Sequence, residues 1–394
     1  MIGRLALGAS LIAILLASPA AAQDAPAPAQ ANPPAAETGP YRPHGVDEEG
    51  LWMEVEEYER DLKHSKLLIR DPDINAYLRR VLCKAVGDAK CAEARIYLVR
   101  NPYFNASMAP NGMMVVWSGL LLRMRNEAEL AAVLGHEFAH YENRHSLKLF
   151  RDIRAKTDAM VWLSFVPFGQ LAQIGLMGSI MAYNRDMEQE SDLASIGYLA
   201  HAGFDPHAAS QIWQQLRAEQ DATAAARRHK SRKDKNGGFF ATHPNTAKRM
   251  EYLAAAADAV VERSDDFGRE AYRAALAPHW AMLVEDQVKL ADHGGTAFLI
   301  EQLAQDGWTS DLLYAQAENL RLRGGRDDYA LAARYYRSAI AHADALPENW
   351  RGLGLALIKD GQSDAGKTAL ARYLELRPDA DDAALLAMMA GAST

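Results

Sequence analysis

The chain has 394 residues, with 43 Lys and Arg against 51 Asp and Glu, and its formal net charge is −8. This acidic balance gives little support to a nucleic-acid partner, and we expect none. The length suits two domains preceded by a signal and a tether.

The first 22 residues have the pattern of a secretory signal peptide. Arg4 precedes an apolar run that ends at Leu16, and residues 20–22 resemble an A-x-A cleavage site. The run is shorter than the roughly 17–25 residues that span a bilayer, which favours cleavage over an uncleaved membrane anchor. We therefore expect a periplasmic protein. Residues 23–48 are rich in Ala and Pro and are predicted to form a disordered tether.

Cys83 and Cys91 are the only cysteines. Cys83 lies near the end of a helical pattern at 74–86, and Cys91 precedes a strand-like run at 95–99. In an oxidising compartment so close a pair can form a structural disulfide that staples the turn between them. The alternative is two reduced, buried thiols. We do not expect this pair to bind zinc.

The most informative pattern is H-E-x-x-H at residues 136–140. It lies in a stretch, 126–144, whose apolar spacing predicts an amphipathic helix, and Asn126 with Glu129 resembles a capping box. Chance would produce the three defined residues about once in fifty such chains, so the pattern by itself is a hypothesis. The predicted helix around it strengthens the case.

On such a helix, His136 and His140 project from one face about 5–6 Å apart and can converge on one Zn²⁺, with Glu137 beside that face. A catalytic zinc site needs a third protein ligand. The best candidate is Glu188, which opens another helical run, because Asp192 one turn later can accept a hydrogen bond from a ligand histidine. Without the upstream motif, a solvated acidic helix start would be the better interpretation.

Residues 159–183 are apolar and uncharged for 25 positions, which is long enough to span a bilayer. A single crossing would separate His140 from Glu188, although one metal would have to touch both within about 2.2 Å. Pro167 interrupts the run, so we expect a helical hairpin. A buried hairpin is favoured over an active-site lid or an element at a membrane interface.

A basic run at 227–235 is predicted to be a solvated loop, with contact to anionic lipid as the alternative. Peripheral membrane contact therefore stays open.

After about residue 262 the sequence shows nearly continuous helical periodicity. Several apolar and small residues fall on the spacings of a tetratricopeptide repeat (TPR): Trp350, Leu353, Gly354, Leu357, Leu370, Tyr373 and Pro378. Stacked helix pairs from roughly 263 to 390 should form a small solenoid, the alternative being a generic helical bundle. The concave surfaces of solenoids commonly bind peptides or partner proteins.

Five blocks in chain order resemble the gluzincin metallopeptidases, the family that includes HtpX, BepA and the C-a-a-X prenyl proteases. The blocks are D-I-N-A-Y-L, N-A through S-G-L-L, the H-E-x-x-H helix, R-x-x-E-x-x-x-D and T-H-P with its following Arg, at 73–78, 105–121, 126–140, 185–192 and 242–249. The resemblance covers about residues 51–255. Ser191 departs from it, since the family usually has Ala there.

This resemblance implies zinc on His136, His140 and Glu188, with Glu137 as general base. Behind the ligands it places Asp192 and Arg249.

The resemblance also implies that His243 approaches the metal in a latent state in BepA-like members, which carry such repeats after the peptidase domain. Two roles for His243 stay open: a latch in the fourth zinc position, or a group that stabilises the oxyanion. The expected fold is α+β and mainly helical, with a zincin-type metallopeptidase domain and small edge-strand sheet at 49–258 and an all-α TPR-like solenoid at 259–394.

The sequence therefore predicts a periplasmic zinc endopeptidase for unfolded or misassembled envelope proteins. Glu137 would move the water proton to the leaving amine, and the strand around 113–117 would hold an extended substrate by β-augmentation. The alternative is a chaperone or assembly adaptor that binds clients, or the outer-membrane assembly machinery, through the TPR-like domain. A prenyl-processing enzyme is a weaker alternative, because it needs membrane-spanning helices that we do not expect.

Overall fold

Helices make up most of the structure, and one small sheet lies among them. The computed structural model describes residues 40–156, 185–229, 247–260, 267–305 and 307–391. Its helices are α1 (Gly45–His64), α2 (Pro72–Val86), α3 (Asp88–Cys91), α4 (Ser118–Arg123), α5 (Glu127–Glu142), α6 (His145–Lys156), α7 (Arg185–His201), α8 (Ala208–Ala226), α9 (Ala247–Asp258), α10 (Arg269–Leu276), α11 (Trp280–Lys289), α12 (His293–Leu303), α13 (Ser310–Arg323), α14 (Asp328–Ile340), α15 (Glu348–Lys359), α16 (Ser363–Leu376) and α17 (Ala383–Ala390).

The sheet has three strands, β1 (Arg95–Val99), β2 (Ala106–Met108) and β3 (Met113–Trp117), in the order β1-β3-β2. β3 pairs in parallel with β1 and antiparallel with β2. The prediction that residues 113–117 hold a substrate by edge pairing is therefore wrong, because both sides of β3 are occupied. Its first four residues are buried, as expected for a central strand.

Helix α2 and the disulfide near its C-terminal end agree with the sequence prediction. Asp71 caps the helix by accepting hydrogen bonds from the backbone N–H groups of Asp73 and Ile74, at 2.9 and 3.2 Å. Cys83 and Cys91 form a disulfide that ties the end of α2 to the short α3. The predicted pairing is confirmed.

Helix α5 lies in the middle of the core. Asn126 caps it by accepting from the Glu129 N–H at 2.9 Å, but the Glu129 carboxylate reaches the backbone N–H of Arg125 instead of closing the capping box on Asn126. Every residue from Ala128 to Tyr141 is buried. The predicted helix is present, but it is enclosed rather than amphipathic, because α2, α7, α8 and β2 pack around it.

The later helices α10 to α12 join this same core. Tyr272, Leu276, Leu283 and Leu299 pack in one apolar cluster with residues of α2 and α5. A buried ion pair between Arg123 and Glu219 extends to Gln287 of α11. The core is therefore shared by residues on both sides of position 259, the predicted start of the repeat domain.

From α13 onward each helix packs against the next one in the chain. A second apolar cluster fills the space between them, with Tyr336 fully buried. Helices α15 and α16 are joined by a short connection and pack against each other at the predicted repeat positions. The TPR-like solenoid itself stays a prediction.

Several predicted segments lie outside the described residues: the signal peptide, the tether up to residue 39, the apolar run at 159–183 and most of the basic run at 227–235. Helix α1 begins at Gly45, within the last residues of the predicted tether. Among the helices that the structure does describe, none has both the length and the apolar character required to cross a membrane.

Candidate metal centre

Three side chains from α5 and α7 bring potential metal ligands together. His136, His140 and Glu188 are buried, and their ligand atoms lie within 4.8 Å of one another. The two Nε2 atoms of the histidines are 3.0 Å apart, and Glu188 Oε1 lies 3.4 Å from His140 Nε2. The sequence predicted that these three residues converge, and the described structure places them together.

Helix packing explains the convergence. His136 and His140 are one turn apart on α5, with their ring centroids 4.7 Å apart. Helix α7 packs along α5 and carries Glu188 in its first turn. Gly135 allows close approach, since a Cβ there would lie 3.2 Å from the ring of Tyr198 on α7. The absence of a side chain at Gly135 therefore helps to bring the Glu188 carboxylate of α7 close to the two histidines of α5.

Asp192 stands behind His136, as the one-turn spacing from Glu188 predicted. Its Oδ1 lies 3.0 Å from His136 Nδ1, the ring nitrogen that does not face His140. An acceptor at Nδ1 favours the tautomer that leaves Nε2 free to bind a metal. The side chain of Asp192 is therefore suited to orient His136.

Arg249 of α9 binds both carboxylates of this group. It donates to Asp192 through Nε and Nη2 at 2.6 and 2.7 Å, and its Nη1 lies 2.8 Å from Glu188 Oε2. Its guanidinium stacks over the ring of Trp213 at 3.9 Å, and Tyr252 also donates to Asp192. Arg249 thus links α9 to the carboxylates of α7.

The charges of this group are set by opposing effects. Burial raises the pKa of Asp192, but Arg249 and a hydrogen bond with His136 outweigh it and lower that pKa to about 2. Burial lowers the pKa of Arg249, but Asp192 and Glu188 outweigh it and raise that pKa. Both groups are therefore charged at neutral pH although they are buried.

A second group of contacts lies behind His140, and the sequence analysis missed it. Nδ1 of His145 lies 2.9 Å from Nδ1 of His140, and Nε2 of His145 lies 3.0 Å from Glu190 Oε2. A third histidine five residues after His140 was the available signal. It was overlooked because the turn that folds α6 back against α5 is a tertiary feature.

Of the two remaining predicted site residues, only Glu137 lies within the described part of the chain. Glu137 is buried on α5 next to His136. His243 and the rest of the T-H-P block at 242–244 lie outside the described residues.

Comparison with known proteins agrees with this geometry. Residues 69–257 match the sequence model of peptidase family M48. The mitochondrial metalloendopeptidase OMA1 of Schizosaccharomyces pombe is 31% identical over 183 residues, which cover 45% of this chain and 51% of that protein.

Two bacterial relatives carry a different name. The beta-barrel assembly-enhancing protease of Escherichia coli is 25% identical over 270 residues, covering 60% of this chain and 53% of its own. The putative beta-barrel assembly-enhancing protease of Vibrio cholerae is 29% identical over 189 residues, covering 44% and 39%. The matches thus span about half the length of these relatives or less. They leave the match to the peptidase family as the firmest conclusion: this chain contains, at residues 69–257, a domain that matches peptidase family M48.

Proposed function

We propose that this protein is a zinc-dependent metalloendopeptidase whose zinc is held by His136, His140 and Glu188. The observation that carries the proposal is the buried convergence of these three side chains. Two imidazoles and one carboxylate form a donor set typical of catalytic zinc, because three protein ligands leave a fourth position for water or substrate.

The distances between the donors fit this ion. Zinc binds imidazole nitrogen and carboxylate oxygen at about 2.0–2.2 Å, so ligand atoms in a tetrahedral site lie about 3.3–3.6 Å apart. The separations between the three pairs of side chains are 3.0 Å for His136–His140, 3.4 Å for His140–Glu188 and 3.8 Å for His136–Glu188, and they bracket this range. When bound, zinc would polarise the scissile carbonyl and make water a better nucleophile near neutral pH.

The chain's own residues would complete the reaction. Glu137, beside His136 on α5, is proposed as the general base that takes the proton of the attacking water and passes it to the leaving amine. Asp192 and Arg249 would keep His136 and Glu188 oriented throughout the reaction, since they hold these side chains through buried hydrogen bonds and ion pairs.

An extended substrate would pair with β2 (Ala106–Met108) instead of β3. Among the described residues β2 pairs only with β3, so its other side is an edge. Helix α5, which carries His136 and His140, packs against β2. Backbone pairing at an edge reads little side-chain sequence, which suits unfolded or misassembled substrates.

We further propose that the protein works in the periplasm on envelope proteins, including those of the outer membrane. The signal-like N-terminus predicts export, and the Cys83–Cys91 disulfide is stable in an oxidising compartment. Two relatives are named for beta-barrel assembly, which supports this substrate class.

The test is cleavage of an unfolded outer-membrane protein by the purified chain, with and without a zinc chelator. The Glu137→Gln variant should bind zinc equally well but cleave about 10²–10⁴-fold more slowly, because it lacks the base. Glu142→Gln is a matched control on the same helix, since Glu142 contacts Tyr198 and Lys90 at the surface. Equal cleavage by wild type and Glu137→Gln would refute the assigned base, and cleavage that survives full zinc removal would refute the metal.

His243 needs its own variant, since two roles are open. Faster cleavage by His243→Ala would indicate a latch on zinc, and lost cleavage with zinc still bound would indicate stabilisation of the oxyanion.

The second candidate function is a chaperone or assembly adaptor with latent peptidase activity. A cavity of about 310 Å³ favours it. The residues that line it include Met124 at the end of α4, Arg273 of α10, Trp280 of α11 and Asp311 of α13. Its apolar and charged lining suits a protein segment. In cells that lack the wild-type gene, Glu137→Gln should fail to restore envelope integrity if proteolysis is the function, and should restore it if binding is.

A further inference from the structure

His145 has an unusual position directly after the metal-binding helix. It begins α6, and only Asn143 and Arg144 separate it from the end of α5. Arg144 has a φ of 55°, in the left-handed region that non-glycine residues seldom adopt. The ring of Tyr41 lies 4.1 Å from its guanidinium. This turn folds the chain back, so that the His145 side chain is fully buried against His140.

The contacts of His140 determine what His145 can do. His140 directs Nε2 at His136 and Glu188, so its other ring nitrogen, Nδ1, must carry the proton if Nε2 is to donate a lone pair to a metal. That Nδ1–H lies 2.9 Å from His145 Nδ1, which must then be an acceptor. Ser191 Oγ lies 3.3 Å from the same His145 nitrogen.

The same reasoning fixes the proton of His145. A neutral imidazole that accepts at Nδ1 carries its proton on Nε2. Nε2 of His145 lies 3.0 Å from Glu190 Oε2, so the ring donates to that carboxylate. The hydrogen bonds therefore run in one direction, from His140 through His145 to Glu190.

We propose that His145 is a positioning residue that holds His140 in the tautomer and ring orientation required for zinc, and that Glu190 supports His145 in turn. This inference rests on the zinc site proposed above. The carboxylate of Asp192 contacts His136 directly. His140 instead donates to the neutral ring of His145, which in turn donates to the half-exposed carboxylate of Glu190. The two ligand histidines thus have different supports, both built with residues of α7.

Two substitutions of His145 distinguish the effect of its hydrogen bond with His140 from the effect of its packing. His145→Leu fills similar space without an acceptor, whereas His145→Asn keeps an oxygen near the position of Nδ1. Losing a partner that orients a metal ligand typically weakens metal binding about 10–100-fold. We expect a loss of that size in His145→Leu and a clearly smaller loss in His145→Asn. The measurement is the zinc dissociation constant of the full mature chain, determined by competition with a chromogenic chelator.

Three results would be decisive. Weaker binding in His145→Leu with recovery in His145→Asn supports the proposal. Equal affinities of wild type and His145→Leu, or a greater loss in His145→Asn, overturn it, because packing would then explain the residue. A His140→Ala variant that keeps wild-type zinc affinity would instead overturn the zinc site itself, so the two failures are distinguishable.

A measurement on the wild-type chain guards against variants that do not fold. In the zinc-loaded, ¹⁵N-labelled protein, an N–H···N hydrogen bond should produce a scalar coupling between the Nδ1 atoms of His140 and His145. A coupling between these nitrogens supports the proposed direction of the bond. If the His140 Nδ1 proton is absent, or coupled to no imidazole nitrogen, the proposal is wrong.

Discussion

The metal centre and the interface between α14 and α15 both contain fully buried side chains, but different forces hold them. At the metal centre, Arg249 carries its charge between two buried carboxylates, and each group depends on the others for its hydrogen bonds. At the α14–α15 interface, Gly352 of α15 lets the ring of Tyr336 on α14 lie close to the backbone. The first region should therefore be sensitive to lost charge and the second to added volume.

The largest expected effect follows from removing the central charge. Arg249→Met leaves Asp192 and Glu188 buried without their guanidinium and should cost the metal-free protein about 3–5 kcal/mol of unfolding free energy. Denaturant unfolding of the metal-free chain measures this loss. Zinc should restore part of it, because a bound cation would compensate the charge of Glu188.

A matched control tests whether burial is the cause. Arg351 of α15 pairs with Asp382 at 2.7 Å, but both side chains are about one-third exposed. Arg351→Met should therefore cost only about 0–1 kcal/mol. Similar losses for the two arginine variants would contradict the proposed difference between the regions.

The second prediction adds volume to the α14–α15 interface. Gly352→Ala would push a methyl group into the ring of Tyr336, which is fully buried and has little room to move. We expect a loss of about 1–3 kcal/mol, measured as the midpoint and slope of chemical unfolding.

Gly197 of α7 provides the opposite case. It lies inside a helix, is exposed, and an added Cβ would meet no atom within 4 Å. Gly197→Ala should therefore stabilise the protein by about 0.5–1 kcal/mol, through helix propensity alone. A Gly352→Ala variant that is as stable as Gly197→Ala would show that the α14–α15 interface relaxes more freely than its packing indicates.

The remaining effects depend on pH and have opposite signs at Glu59 of α1 and Asp311 of α13. Hydrogen bonding to Arg95 outweighs burial and lowers the pKa of Glu59 to about 2, so its contribution is present above the ordinary pKa of 4.5 and lost as pH falls toward 2. Burial and the charge of Asp344 raise the pKa of Asp311 from 3.8 to about 6, so stability falls as pH rises between these values and the full cost persists at higher pH.

Two variants should separate these contributions. Glu59→Gln should destabilise the protein at pH 7 by about 1–2 kcal/mol, with a difference from wild type that shrinks below pH 4. Asp311→Asn should stabilise it at pH 7.5 by less than about 1 kcal/mol, because the group is partly exposed, and should have no effect near pH 3.5. Thermal unfolding across this pH range measures both, and parallel curves for wild type and variants would contradict the assigned pKa shifts.

Local patterns were sufficient to predict much of the site. The one-turn spacing of His136 and His140 and the one-turn spacing of Glu188 and Asp192 each define a helix face. These spacings predicted which residues could meet. The pairing of Cys83 with Cys91 was predictable for a similar reason, since a short loop limits the alternatives.

Other contacts could not be predicted in this way. His145 meets His140 because a left-handed residue reverses the chain, and Arg144 gives no strong local signal for that conformation. The central position of β3 was also missed. The run of buried residues at 113–116 was the available clue, but strand order depends on which partners pack on each side.

The sequence by itself determined the elements whose signals are local: the helix that carries H-E-x-x-H, the carboxylates of α7, the disulfide and the helical character of the second half. Periodicity and short-range spacing act within a few residues, so they can be read without knowledge of the fold. The tertiary structure alone decided the partners that come from distant positions. Arg249 reaches Asp192 across 57 residues, β2 becomes the edge of the sheet, and α10 to α12 enter the core of α5. These contacts form because buried apolar surface and buried charge must find complements, wherever the chain supplies them.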